Sequence, residues 1–402
     1  MIIKTLYFVL GLFVIYFLAY IWSNNRHAIR YKNLFIILVV QLLLAKFMLS
    51  TTIGIDIINY INEGFKVILA SAQVGVSFVF GNLADSKGFI FFFNAAMPIV
   101  LMSAIIGILQ YFKILQILVV AIGSILAKVT GMGKLESFNA ISSLSVGQSE
   151  NFLYYKKIIK YLPSNVLYTM AATAMSTVSL GTAAAYMTII NPTYVCVAII
   201  MNMFGAFFVL NIINPYEKTK ETSYQFLTEQ VEDFEKQRFF EMLSEYILDG
   251  FKVAIIVCVM VMGYIAFLNL ADAIFSSLFG ISLRDILGYV FYPIAWVLNI
   301  HGNEVFLSSQ IMGTKIVTNE FVAMQELAQH AKQLSAHTIA VVSVFLVSFA
   351  NFASIGIIIG AIQALDKDAS VKVARFSLKI LYGAVLVSFL SANIVGFVIS
   401  GT

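Results

Sequence analysis

Six stretches of about twenty apolar residues, at 2–22, 34–53, 89–112, 195–213, 251–270 and 378–398, decide what kind of solvent this chain can fold in. A helix rises 1.5 Å per residue, so roughly twenty apolar residues cross the ~30 Å hydrocarbon core of a bilayer. In lipid every backbone N–H and C=O must be paired within the protein, which for apolar runs of this length means helices. Two more runs, 162–190 and 338–365, are long enough but carry Ser, Thr, Asn and Gly throughout. The expected fold is therefore an all-α polytopic membrane protein with eight transmembrane helices. Composition agrees: 11% of residues are charged, against about a quarter in soluble domains.

The net charge of +4 comes from Lys and Arg scattered through short loops, which gives no surface for a nucleic acid and instead orients the chain in the bilayer. Arg26, Arg30 and Lys32 lie in "NNRHAIRYK" between the first two runs, placing that loop in the cytoplasm and the N-terminus outside. Residues 2–22 lack the short core and small-residue cleavage site of a leader and are expected to stay as the first span. Cys196 and Cys258 sit in apolar runs without CxxC spacing or a nearby His, which implies buried thiols and neither a disulfide nor a metal site. Segment 56–80 mixes Asn59, Asn62, Glu63 and Lys66 into apolar sequence, as a helix lying at the interface would, and 113–128 reads likewise. Residues 215–246 turn polar and suit a loop and solvent-facing helix.

Two polar islands break the apolar pattern. The first is "GKLESFNAISSLSVGQSENF", 133–152; the second is "LSSQIMGTKIVTNEFVAMQEL", 307–327. Each carries a Glu beside an Asn and a Phe, each is followed by one of the Ser/Thr/Asn-rich runs, and each of those by a plain apolar run. This is an internal repeat with interrupted segments, the sequence mark of a secondary transporter whose broken helices face a site at mid-membrane. Both islands are expected to be re-entrant hairpins, since irregular backbone at that depth survives only where protein or water covers it. In the helices that follow, "AMSTVSLGTAAAY" is a stretch expected to unwind, and "VSFANFASIG" puts Asn351 and Ser354 three residues apart on one helical face with Phe349 nearby. Asn, Ser and Glu form a hydroxyl-binding set, and an aromatic beside them suits a ligand with a flat ring and a sugar.

"GMGKLESFNAISSLSVGQSENF", "GTKIVTNEFVAM" and "VFLVSFANFASIGI", in this order, resemble the concentrative nucleoside transporter family, especially its bacterial NupC-type branch, from about Gly81 onward. The resemblance implies a homotrimer of eight-helix subunits in the bacterial inner membrane, each with two re-entrant hairpins in an inverted-type repeat, and an elevator-like domain moving against a trimeric scaffold. It divides the single membrane domain, 1–402, into N-terminal helices (1–112, mostly scaffold with an interfacial helix), a first repeat (113–214, hairpin 133–158), a polar loop and scaffold helix (215–300) and a second repeat (301–402, hairpin 304–333). By the same resemblance Gly147, Gln148, Ser149 and Glu150 contact a nucleobase, Thr182 touches it from the next helix, Glu320, Asn351 and Ser354 hold the ribose hydroxyls, and Phe349 packs on the ligand. The implied substrates are nucleosides of the uridine, cytidine and adenosine type, and no cofactor is implied.

One departure bears on the coupling ion. Sodium-coupled members place an Asn four residues before the Gly of the GQ[S/T]E motif, where this chain has Ser143, a poorer neutral ligand. Proton coupling is the favoured expectation, with sodium as the alternative through Ser143, Ser145, Val146 and Thr177. Glu150 and Glu320 are the candidate proton carriers. Lys134, Glu136 and Lys315 read as structural or hairpin-mouth charges able to pair with one another, and His27, His301, His330 and His337 as loop or helix-end residues. The rival class, an intramembrane serine protease using the G-x-S-x of "GQSE" with His337 as base, lacks a His inside an apolar span and leaves the adjacent Glu without a role. The chain is therefore not expected to be an enzyme.

Overall fold

A computed structural model of the protein describes residues 2–84, 90–156, 158–216 and 238–399. The polar stretch expected at 215–246 lies mostly outside the described residues, as do the start of the run at 89–112 and residue 157 of the first hairpin. Helices and short 3-10 or π turns make up the regular structure, with no strand among the described residues.

The helices are α1 (Ile2–Ile21), α2 (Tyr31–Ser50), α3 (Thr52–Phe80), α4 (Pro98–Tyr111), α5 (Ile114–Thr130), α6 (Lys134–Val146), α7 (Ser164–Ser176), α8 (Leu180–Tyr186), α9 (Pro192–Ile213), α10 (Phe239–Phe279), α11 (Leu283–Val297), α12 (Glu304–Val317), α13 (Glu320–His330), α14 (Ala336–Leu346), α15 (Phe352–Leu365), α16 (Lys367–Ala374) and α17 (Ser377–Ile399). Among the described residues, seven helices are long and apolar enough to cross a membrane, and each of the six plain apolar runs falls in one of them. The seventh is α3, which extends the interfacial segment expected at 56–80 into one helix of 29 residues. The segment at 113–128 forms α5, one helix short of spanning length.

The two Ser/Thr/Asn-rich runs are not continuous helices. The first splits into α7 and α8 at Thr177–Ser179, where the backbone is extended and the Ser179 hydroxyl accepts from the Thr182 amide to start the new helix. The second splits into α14 and α15 between Val347 and Asn351, and the Asn351 side chain accepts from the Ser354 amide. Ser and Asn side chains compete with the helical ladder and are favoured as caps, so both breaks fall where the sequence offers such a cap. Asn351 and Ser354 therefore occupy the N-cap and first turn of a half-helix, not one face of a through-going helix.

Each half of the chain thus reads as a helix, a return leg, a broken helix and a long buried helix: α6, a 3-10 return, α7/α8 and α9, then α12, α13, α14/α15 and α17. Helices α9 and α17 pack on each other at the centre of the main bundle, with α7 and α14 against them. The N-terminal region does not pack as one unit. Helices α1 and α2 lie on α9 and α17, tied by Gln41 to the Met201 carbonyl at 2.9 Å and by Asn393 to the Phe8 carbonyl at 3.1 Å, whereas α4 packs on α10. The second hairpin closes at its base, where the amide and hydroxyl of Ser335 both donate to Glu304 at 2.9 Å.

Candidate functional site

The first hairpin turns at Gly147, whose φ of 111° lies in the region that favours glycine. The turn puts Gln148 under the start of α15, and its side-chain amide donates to the Ser354 hydroxyl at 3.1 Å, across 206 residues of sequence. Gln148 Oε1 is buried with no hydrogen-bond partner among the described residues. A buried acceptor left open in this way is costly unless something enters to use it.

The second hairpin turns at Thr318–Asn319. Asn319 caps α13 by accepting from the Val322 amide at 3.0 Å, and this makes Glu320 the first residue of the new helix. The Glu320 carboxylate accepts from the Tyr186 hydroxyl at 2.7 Å on one oxygen and from Asn351 Nδ2 at 2.8 Å on the other. Asn351 is used at both ends, since its Oδ1 caps α15. A continuous chain of bonds results: Tyr186, Glu320, Asn351, Ser354, Gln148. The N-terminal ends of α13 and α15 meet here, and their positive poles favour the Glu320 carboxylate and other electron-rich groups. Phe349 is buried in the break beside Asn351, and Phe321 sets its ring edge-on to Tyr186 at 4.9 Å between centroids. Apart from Gln148 Oε1, these polar groups satisfy one another, so an entering ligand must exchange their bonds for its own, which hydroxyls on a sugar can do as both donors and acceptors.

Beneath the first tip, α6 and α7 are joined through Asn139, which donates to the Met170 carbonyl at 2.9 Å and the Thr173 hydroxyl at 2.8 Å. Ser143 and Thr177 lie one turn further on, each directing its hydroxyl proton back to its own chain, at Asn139 O (2.7 Å) and Thr173 O (3.2 Å). Val146 is the last residue of α6, and Ser145 donates to the Ile141 carbonyl. The return leg is drawn onto α6 as well: Asn151 donates to Asn139 Oδ1 at 2.7 Å, and Ser142 bonds Asn151.

The expected residues Gly147, Gln148, Glu320, Phe349, Asn351 and Ser354 are brought together. Thr182 sits in the first turn of α8 with its hydroxyl 2.9 Å from that of Ser179. Ser149 is half-buried in the turn, and Glu150 opens the 3-10 return, its side chain lying outside the described part of the structure. Tyr186 was not singled out from sequence; the signal available was a phenol inside an otherwise small-residue stretch. Of the two readings given for Lys315, the structural one fits and the hairpin-mouth one does not: it lies fully buried near the tip of the second hairpin, its ammonium bonded to Phe345 O, Ser348 and Ser388. Glu136 at the base of the first hairpin accepts from the Tyr216 hydroxyl.

Three family models cover almost the whole chain: the Na+ dependent nucleoside transporter N-terminus at residues 10–83, a nucleoside recognition "Gate" model at 92–193, and the Na+ dependent nucleoside transporter C-terminus at 194–396. The chain belongs to the concentrative nucleoside transporter family. The match extends to the N-terminal helices, ahead of the Gly81 limit read from the motifs. The purine nucleoside transport protein NupG of Bacillus subtilis is 33% identical over 97% of this chain and 99% of its own. The nucleoside permease NupC of Helicobacter pylori is 27% identical over 99% of each. Among solved structures, CNTnw in an inward-facing substrate-bound state superposes with a TM-score of 0.91 at 25% identity over 98% of this chain and 99% of that one. A doubly substituted CNTnw in an outward-facing state gives 0.94 at 26% over all of both. The relatives are transporters and not enzymes, so this family member is a multi-pass membrane transporter of nucleosides, and the G-x-S-x serine has no protease role.

Proposed function

We propose that this transporter is a symporter that imports nucleosides of the uridine, cytidine and adenosine type across a bacterial inner membrane, driven by protons. The observation that carries the reading is the Glu320 carboxylate held between Tyr186 and Asn351 at the junction of half-helices, with Ser354 and Gln148 completing the row. Glu320, Asn351 and Ser354 take the ribose hydroxyls; Gly147, Gln148, Ser149 and Glu150 face the base, with Thr182 approaching it from α8; Phe349 packs on the ligand. Proton coupling rests on Ser143, a weak neutral ligand, with Glu150 and Glu320 as carriers. Sodium is the second reading, because Ser143, Ser145, Val146 and Thr177 lie at the C-terminal ends of α6 and α7, whose dipoles favour a cation.

Alternating access follows an elevator scheme in a homotrimer. The pairing of α4 with α10, apart from the α9–α17 core, supports a division into a scaffold and a moving body, the latter including α1 and α2. The exposed apolar residues of α10, such as Ile256, Val259 and Met262, suit contact with lipid or neighbouring copies. The test is uptake of radiolabelled uridine into proteoliposomes, first under a proton gradient without sodium, then under a sodium gradient at clamped pH. Accumulation with protons alone supports the proposal. Accumulation only with sodium replaces the coupling ion, and no accumulation of uridine or adenosine under either overturns it.

A further inference from the structure

Breaking α14 from α15 strands backbone carbonyls in a buried setting, where each needs a partner. Two are served locally: Leu346 O accepts from the Ser348 amide at 2.8 Å, and Phe349 O from the Asn351 amide at 2.9 Å. Two more are served by side chains from distant helices. Asn202 of α9 donates to Val347 O, and Lys315 of α12 donates to Phe345 O at 2.6 Å. Lys315 also donates to the Ser348 hydroxyl at 2.6 Å, inside the break, and to Ser388 of α17 at 3.2 Å. Ser348 and Ser388 are themselves 2.8 Å apart.

An ammonium has three hydrogens and no acceptor capacity, and here three oxygens meet it from three chain segments. The arrangement is therefore complete for the charged side chain, although Lys315 is entirely buried. Among the described residues no other Lys or Arg is buried. Nothing in the ligand-binding scheme above uses Lys315.

We propose that Lys315 is a positioning residue for the sugar half of the site: by joining α12, the α14–α15 break and α17 it fixes the break in the conformation that presents Asn351 to Glu320. Lys315 does not touch the ligand. It sets the separation and direction of the groups that do, and so controls how strictly the site demands a ribose, while its own three bonds do not involve Gln148 in the base half. This inference rests on the assignment of Glu320, Asn351 and Ser354 to ribose.

The test compares binding of uridine, adenosine and uracil to the purified protein and to Lys315→Met, Ser388→Ala and Glu320→Gln variants. For folded Lys315→Met the uridine-over-uracil preference falls about tenfold or more, as expected when a bond to a charged group is lost, while the uridine-to-adenosine ratio stays within about twofold. A lysine that only stabilises the fold would lower the melting temperature and weaken all ligands alike, and an unchanged uridine-over-uracil ratio in the folded variant overturns the proposal. Should Lys315→Met not fold, Ser388→Ala decides: it removes one of three acceptors without stranding the charge, and a fall of about two- to fivefold in the same ratio supports the role, whereas no fall overturns it. Glu320→Gln separates the two ideas. If that variant keeps the full preference for uridine over uracil, the ribose assignment itself is wrong and the role of Lys315 falls with it; if it loses the preference while Lys315→Met keeps it, only the role of Lys315 fails.

Discussion

In the second hairpin Asn319 precedes its glutamate and caps the returning helix; in the first, Asn151 follows Glu150 and is drawn down onto Asn139 and Ser142 of α6. That exchange of order changes the return leg. The second comes back as an α-helix of 11 residues whose first residue is Glu320, with both carboxylate oxygens fixed. The first comes back as 3-10 turns, and its Gln148 has one partner on its nitrogen and none on its oxygen among the described residues. On the proposed assignment, a site built this way is rigid on the side given to the sugar, which every nucleoside shares, and adaptable on the side given to the base, which varies. Pre-ordered groups discriminate most sharply because a ligand lacking the matching hydroxyl leaves buried partners unpaired.

The sharpest way to break this contrast is Glu320→Gln. The amide can accept only one of the two bonds the carboxylate accepts, and it turns an N–H toward the other site, so uridine uptake into proteoliposomes should fall by about 100-fold or more with the melting temperature little changed. Normal uptake would remove the carboxylate from the ribose role. Next in size is Tyr186→Phe, which takes away one bond of about 1.5–3 kcal/mol to that carboxylate and should weaken uridine binding roughly 10- to 100-fold, measured by calorimetry. Phe349→Ala should cost about tenfold in affinity for uridine and adenosine through lost packing area; equal affinity would place the ring outside the site. The smallest effect is expected from Gln148→Ala, on the adaptable side. Uridine and adenosine affinities should shift by different factors, each below about tenfold, while preference over uracil holds. A large uniform loss there would show the base half to be as rigid as the sugar half.

Much of this was legible in the sequence because the signals are local. Apolar runs of spanning length mark α1, α2, α9, α10 and α17, and Ser/Thr/Asn-rich stretches mark the broken helices. Glu320, Asn351 and Ser354 stood out as polar groups in apolar surroundings. Periodicity treated 338–365 as one helix, whereas the cap at Asn351 competed with the ladder and won. Tyr186 and the enclosure of Lys315 were hidden for a different reason. Their partners lie 134, 30, 33 and 73 residues away, and a Lys in an apolar run looks the same whether it reaches for the interface or is enclosed. The position of α1 and α2 on the central bundle was equally invisible, since a lipid-facing helix and a bundle-facing one differ little in composition.

Helix α10 has one more consequence. Its charged first turns, through Lys252, are followed by an apolar stretch at 253–277 broken by Asp272, and the whole rod is 41 residues, roughly 60 Å long. That is about twice the thickness of a bilayer's hydrocarbon, so the rod must lean in the membrane, and part of it must stand clear. The acyl-chain length of the surrounding lipid then sets its inclination, and with it the floor against which α4 and the rest of the protein work. With α10 in the scaffold as proposed, uptake into proteoliposomes should change with acyl-chain length while substrate affinity holds.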